Sequence, residues 1–168
     1  MKILWNPWRY EYIRRFTEEK EGKVGEKECL FCKLQKMSED DALMVYRGKF
    51  SFVVLNAYPY NSGHLMIAPY AHVSDPTQLE EEASLEIVHV LKRSLRVLRR
   101  VFAPDGFNIG ANIGRAAGAG VPDHFHIHVV PRWVGDANFI AIIGETKPIP
   151  VSLREVYEAI KKSWNEDS

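Results

Sequence analysis

Apolar and polar positions follow two rhythms along this chain. Period-two alternation predicts strands over Leu43 to Arg47, Phe50 to Ala57 and Gly106 to Ile113. Arg47-Gly48-Lys49 reads as the turn joining the first two into a hairpin. Tyr58-Pro59-Tyr60-Asn61-Ser62-Gly63 is a dense turn signal, and His64-Leu65-Met66-Ile67-Ala68-Pro69 after it reads as a buried strand. Steps of three and four predict a long helix from about Pro76 to Val101, with Val88, Leu91, Leu95, Leu98 and Phe102 on its apolar side. Glu80-Glu81-Glu82 near its start and Arg96, Arg99 and Arg100 near its end complement the helix dipole, and the arginines read as a solvated helix end. Pro7 opens a short helix on which Trp8, Tyr12 and Phe16 recur at fours, and Lys20 to Glu28 reads as a loop. Ser152 is placed to cap a final helix carrying Val156, Ile160 and Trp164. The elements predict one α+β domain, an antiparallel sheet with helices packed on it.

One alternating run differs from the others in what it alternates. His124-Phe125-His126-Ile127-His128-Val129 puts three imidazoles on one face of a strand, about 7 Å apart, over an apolar row. Only three further histidines, His64, His72 and His89, occur in the chain, which makes a chance cluster a poor explanation. Imidazole titrates near neutrality and can transfer protons, bind metal or attack an electrophile. On a strand buried on one side such groups need partners. The residues alone leave open a metal cage and a nucleophile with supporting groups. His89, inside the long helix, has no such context and reads as a surface or packing residue.

The small-residue loop before the triad narrows the choice. Gly114-Arg115-Ala116-Ala117-Gly118-Ala119-Gly120 joins the Gly106 to Ile113 strand to the histidine strand, so the two are expected to pair antiparallel. Gly118, Ala119 and Gly120 allow backbone N–H groups to approach an anion. A histidine nucleophile beside phosphate-binding amides is what nucleotidyl transfer needs. Acyl transfer is the alternative, but no Gly-x-Ser-x-Gly motif is present.

Charge and cysteine content add limits. In 168 residues, 22 Lys and Arg cancel 22 Asp and Glu, so nothing global argues for a nucleic-acid polymer as partner. No apolar run reaches membrane-spanning length and Met1 to Trp8 lacks a signal-peptide core, so a cytoplasmic protein with no membrane partner is expected. The two cysteines form Cys29-Leu30-Phe31-Cys32, which alone is equally a redox dithiol, half a metal site or a packed pair.

The run His124-Phe125-His126-Ile127-His128-Val129-Val130 resembles the signature of the histidine-triad superfamily of nucleotide hydrolases and transferases, and the similarity extends over roughly Cys29 to Phe139. Asn-Ala-Tyr-Pro-Tyr-Asn-Ser-Gly-His-Leu-Met, Gly-Phe-Asn-Ile-Gly, His-Val-Val-Pro-Arg-Trp and the N-terminal Leu4 to Arg9 are similar to the branch containing diadenosine-tetraphosphate phosphorylases. The resemblance implies a histidine-triad core over 29–140, preceded by a helix and loop and followed by a helical extension over 141–168. It implies a homodimer whose sheets join across a two-fold axis. It implies His126 as the nucleophile, His128 at the phosphate and leaving group, His64 bonded within the cluster, Asn112 at the reacting phosphate and Asn56 at the ribose. His124 and the Gly118-Ala119-Gly120 loop would also contact the nucleotide. By the same resemblance Cys29, Cys32, His72 and His124 would hold a structural zinc with no open position. Gly120 stands where many members carry Gln or Ser, and the loop from Asn112 to His124 is one residue longer than in the hydrolase branches. The expected function is nucleotidyl transfer from a nucleoside polyphosphate or dinucleotide through a nucleotidyl-histidine, with phosphate as preferred acceptor and water, or a binding-only module, as alternatives.

Overall fold

A computed structural model of the chain describes residues 28–136 and 151–167. The expected helix around Trp8, Tyr12 and Phe16, and nearly all of the loop after it, lie outside the described residues. The chain divides into two compact units, Met1–Glu28 with Val134–Pro148 and Cys29–Trp133 with Ile149–Ser168. Every element described below belongs to the second.

The order is α1 (Leu30–Lys36), β1 (Met44–Arg47), β2 (Ser51–Leu55), β3 (Leu65–Pro69), α2 (Glu81–Phe102), β4 (Gly106–Gly110), β5 (Ile127–Arg132) and α3 (Leu153–Asn165). The strands form one antiparallel sheet in the order β1-β2-β3-β5-β4. Alternation along the strands sorts side chains onto its two faces. Val53, Leu55, Leu65, Ile67 and Val129 pack with Ile87, Val90, Val97 and Leu98 of α2 and Val156, Ile160 and Trp164 of α3. Phe52, Val54, Met66 and Ala68 form a smaller apolar cluster on the opposite face with Phe31 of α1. The register pairs Met66 with His128, so His128 shares the α1 face.

Three expectations shift. The buried face of α2 is Ala83, Ile87, Val90, Ser94, Val97 and Leu98, while Val88 is 46% exposed. The face is turned from the one read off the leucines because it includes a serine, whose hydroxyl donates to the Val90 carbonyl at 2.8 Å and so can be buried. The strand after Gly106 ends at Gly110, and β5 begins only at Ile127, so His124 and His126 precede the regular ladder. The arginine cluster is engaged rather than merely solvated: Arg96 and Arg100 pair with Asp167 at 3.0 and 2.6 Å, and Arg99 lies over the Phe107 ring. His89 is exposed, as expected.

The C-terminal helix is part of the core. Ser152 and Glu155 form a reciprocal capping box, and Val156, Tyr157, Ile160 and Trp164 are buried. The Arg93 guanidinium lies over both the Tyr46 and Trp164 rings, tying α2 to β1 and α3.

Two glycines are needed where loops meet α2. Gly63 has φ +80°, and a Cβ there would press on Phe102 and Leu98, so the turn that delivers His64 sits directly on the end of α2. A Cβ at Gly48 would overlap the carboxylate of Glu86, which accepts the N–H groups of Lys49, Phe50 and Ser51 at 2.8 to 3.0 Å and the Ser51 hydroxyl at 2.7 Å. Burial raises the Glu86 pKa, but these four donors outweigh it and hold it below the usual value. A depressed carboxylate stabilises the fold above its unfolded pKa and loses that contribution as pH falls through the folded one. Glu86→Ala is therefore expected to cost about 1–3 kcal/mol at neutral pH in urea unfolding, with the difference from wild type shrinking in acid.

Candidate active site and the adjoining Cys/His centre

Six rings, one of them Phe31 of α1, stand in a row on the α1 face. His124 and His126 both pack on Phe31, with centroids 5.1 and 4.7 Å from it; His126 lies 4.8 Å from His128, and His128 5.1 Å from His64. The Tyr60 ring closes the far end, 4.7 Å from His64 and 6.0 Å from His128. His64, His124 and His126 are almost wholly buried, whereas His72 at the near end is exposed. The apolar residues alternating with the triad, Phe125, Ile127 and Val129, pack into the core on the other side.

Buried imidazoles take the tautomer their fixed neighbours require. A carbonyl oxygen can only accept, so His124, with Nε2 at 2.9 Å from the Pro69 carbonyl, carries its proton on Nε2 and its lone pair on Nδ1. His126 has Nδ1 at 2.9 Å from the carbonyl of His124, so it is protonated on Nδ1 and its lone pair is on Nε2. The backbone N–H of Tyr60 donates to His64 Nδ1 at 3.1 Å, which leaves the His64 proton on Nε2. That proton is donated to His128 Nδ1 at 2.9 Å, so His128 bears its own proton on Nε2. Three chemically alike side chains thus become a ligand-ready Nδ1 on His124, a basic Nε2 on His126 and a donor Nε2–H on His128.

Burial favours the neutral form of His64, His124 and His126. Burial first, then the neighbouring His128 and His126, lowers the pKa of His64 to about 3. Burial also lowers His126, opposed by its bond to the His124 carbonyl. A neutral imidazole with its lone pair on Nε2 is the form that attacks an electrophile.

The turn before β3 holds this arrangement. Asn56 Oδ1 accepts from the Tyr58 N–H at 2.9 Å while its amide nitrogen lies 3.3 Å from His64 Nδ1. Asn61 is buried and donates to the Pro131 carbonyl at 2.9 Å, pinning the turn to β5. Asn112 donates to the Gly118 carbonyl at 3.4 Å, so it sits against the glycine loop. Within that loop the N–H groups of Gly118 and Ala119 donate to the carbonyls of Arg115 and Gly114.

At the other end, Cys29, Cys32, His72 and His124 come together, with one donor atom from each lying within 4.8 Å of all the others. His124 Nδ1 is 3.4 Å from Cys29 Sγ and 3.7 Å from Cys32 Sγ, and His72 Nδ1 is 3.3 Å from Cys32 Sγ. A zinc tetrahedron with bonds of about 2.1 to 2.3 Å has edges of about 3.6 Å, so the donor set fits that metal. Neither cysteine is in a disulfide, and the Pro69 carbonyl orients His124 as second partners do for metal-bound imidazoles.

Phe31, Tyr60, Asn61 and the carbonyls of Pro69 and His124 were not among the residues expected from the sequence. Phe31 had a signal, its place between the two cysteines; a backbone carbonyl has none.

The HIT domain family model matches residues 37–134. The chain therefore belongs to the histidine-triad, or HIT, family. Over 98% of its length it is 40% identical to a protein of Mycobacterium tuberculosis named AP-4-A phosphorylase, covering 85% of that relative. An uncharacterised HIT-like protein of Methanocaldococcus jannaschii is 33% identical over 79% of the chain and 98% of the relative. Among solved structures, a zinc-bound histidine triad family protein from Mycobacterium smegmatis superposes with a TM-score of 0.67 at 26% identity, covering 84% of this chain and 96% of that one.

His64 supplies the pH prediction. Its unfolded pKa is 6.5 and its folded value about 3, so it stabilises the fold above pH 6.5 and that contribution drains away as pH falls between the two. Replacement by Gln, which can still hydrogen-bond, is expected to flatten that part of the stability–pH curve in urea unfolding; an unchanged slope would mean that His64 is not buried neutral.

Proposed function

We propose that this protein transfers a nucleotidyl group from a nucleoside polyphosphate or dinucleotide, of which diadenosine tetraphosphate is the first choice, through a covalent nucleotidyl-His126 intermediate, with inorganic phosphate as acceptor. The single observation that carries the reading is the tautomer of His126: its Nδ1 proton is held by the His124 carbonyl, so Nε2 keeps a lone pair. Family membership and the AP-4-A phosphorylase relative supply the substrate class.

Attack by Nε2 on the α-phosphorus breaks the bond to the bridging oxygen, and the leaving polyphosphate takes a proton. His128 is next in the row and carries a proton on Nε2, so it is assigned to that donation and to the non-bridging oxygens. His64 keeps His128 in the donor tautomer, and Asn56 keeps His64 in place. Phosphate then attacks the phosphorus and frees His126. Asn112 and Gly118-Ala119-Gly120 are assigned to the phosphates and Asn56 also to the ribose. Because the Gly118 and Ala119 N–H groups are engaged inside the loop, phosphate binding there needs a local rearrangement of the turn at Arg115–Ala117. Cys29, Cys32, His72 and His124 would hold zinc, and its chemistry would be structural, since four protein ligands leave no position for substrate. Strand β4 ends the sheet, and joining of two copies along that edge is the proposed dimer.

With phosphate present, diadenosine tetraphosphate is expected to yield ATP and ADP; AMP in place of ADP, independent of phosphate, would make the acceptor water. His126→Gly is expected to lower turnover by at least about 10³-fold, and retained turnover would contradict the covalent route. Protein purified without added metal is expected to contain one zinc per chain by elemental analysis and to lose it in a Cys32→Ser variant.

A further inference from the structure

Helix α1 and its N-cap carry the two cysteines, and the helix also carries the ring on which His124 and His126 rest. Phe31 lies between Cys29 and Cys32, is 1% exposed, and packs on His124 and His126 at 5.1 and 4.7 Å with tilts of 38° and 37°. Phe52 of β2 stands on it at 6.4 Å. The helix and both cysteines precede residue 37, where the family match begins.

Position along α1 matters here. Seven residues make too short a helix to be stable alone. Its C-terminal end is tied down, since Arg47 donates to the carbonyls of Gln35 and Met37 and Gln35 donates to that of Tyr70. The N-cap residue Cys29 makes no side-chain capping bond, and the two sulfurs at this end of the helix lie against His72 and His124. The His124 carbonyl holds Nδ1 of the His126 ring. Phe31, 4.7 Å from the same ring at a tilt of 37°, is a second restraint on its plane.

We propose that Phe31 is a positioning residue that transmits the fixing of α1 at the Cys29, Cys32, His72 and His124 centre to the plane of the His126 imidazole. The coupling is one of packing: with the sulfurs held, Phe31 is pressed against His126, and with the sulfurs released the first turn of α1 loosens and the imidazole swings. The catalytic consequence rests on His126 being the nucleophile; the coupling itself does not.

The test is a comparison of wild type with Phe31→Leu, each with and without zinc, by nitrogen-15 NMR of the histidine rings, with a His126→Gln variant to assign the His126 signals. Wild type is expected to show sharp His126 ring signals with zinc and broadened ones after chelation. Phe31→Leu should bind zinc with wild-type stoichiometry yet show broadened His126 signals in both states. If Phe31→Leu does not fold, Phe31→Met, which also fills the space without a flat ring, makes the same comparison. His126 signals in wild type that ignore zinc, or a ring-less variant that matches wild type, would overturn the proposal. With diadenosine tetraphosphate as substrate, Phe31→Leu is expected to lower kcat by about ten- to a hundredfold with little change in KM, to gain no further loss on chelation, and to be restored by Phe31→Tyr, which keeps the ring. Spectra that respond as expected in a wild-type protein without turnover would contradict the proposed reaction and leave the coupling standing.

Discussion

The bond from His126 Nδ1 to the carbonyl of His124 is the contact on which the site depends. It joins two triad members through the backbone, so the residue that faces the cysteines also supplies the acceptor that sets the tautomer of His126. A carbonyl cannot donate, and this decides which nitrogen of His126 holds the lone pair without any charged partner. An aspartate in that place would raise the imidazole pKa and bring a charge that the buried pocket would have to satisfy. The chain uses a neutral acceptor instead, which opposes the lowering of the His126 pKa by burial without overcoming it.

The fold is arranged to hold that contact. The core between the sheet and helices α2 and α3 fixes the rows of Leu65, Ile67 and Val129, and the odd and even positions of β3 and β5 then present their other side chains to α1. Gly63 lets the preceding turn rest on the end of α2, and Asn61 ties it to β5, so His64 reaches His128 from a turn braced on two sides. The β2–β3 turn, the approach to β5 and α1 each contribute rings to one row. The Cys/His cluster stands at one end of it and Tyr60 at the other, with Phe31 shared between His124 and His126.

Much of this was legible in the sequence because strand alternation and histidine spacing act at short range. Period-two patterning located the hairpin and the β4–β5 pair, a turn signal before an apolar run located β3, and Ser152 marked the start of α3. The cluster of Cys29, Cys32, His72 and His124 came from resemblance, and the folded chain does bring these side chains together. What was not legible depends on tertiary packing. Hydrophobicity could not place Ser94 inside the α2 core, since its hydroxyl is satisfied only by a bond within its own helix. The tautomers depend on the carbonyls of Pro69 and His124, and a carbonyl has no residue identity to read. The glycine loop looked open to an anion, yet two of its amides are spent on its own turn.

The central claim is that His126 forms a covalent bond to the nucleotide. The most direct measurement is to mix the protein with diadenosine tetraphosphate in the absence of phosphate, quench at alkaline pH where a phosphoramidate survives, and map the adduct by peptide mass spectrometry. An adenylyl group on His126, discharged as ADP when phosphate is supplied before the quench, is the predicted result. An adduct on another residue, or turnover with no adduct at any time after mixing, would contradict the account.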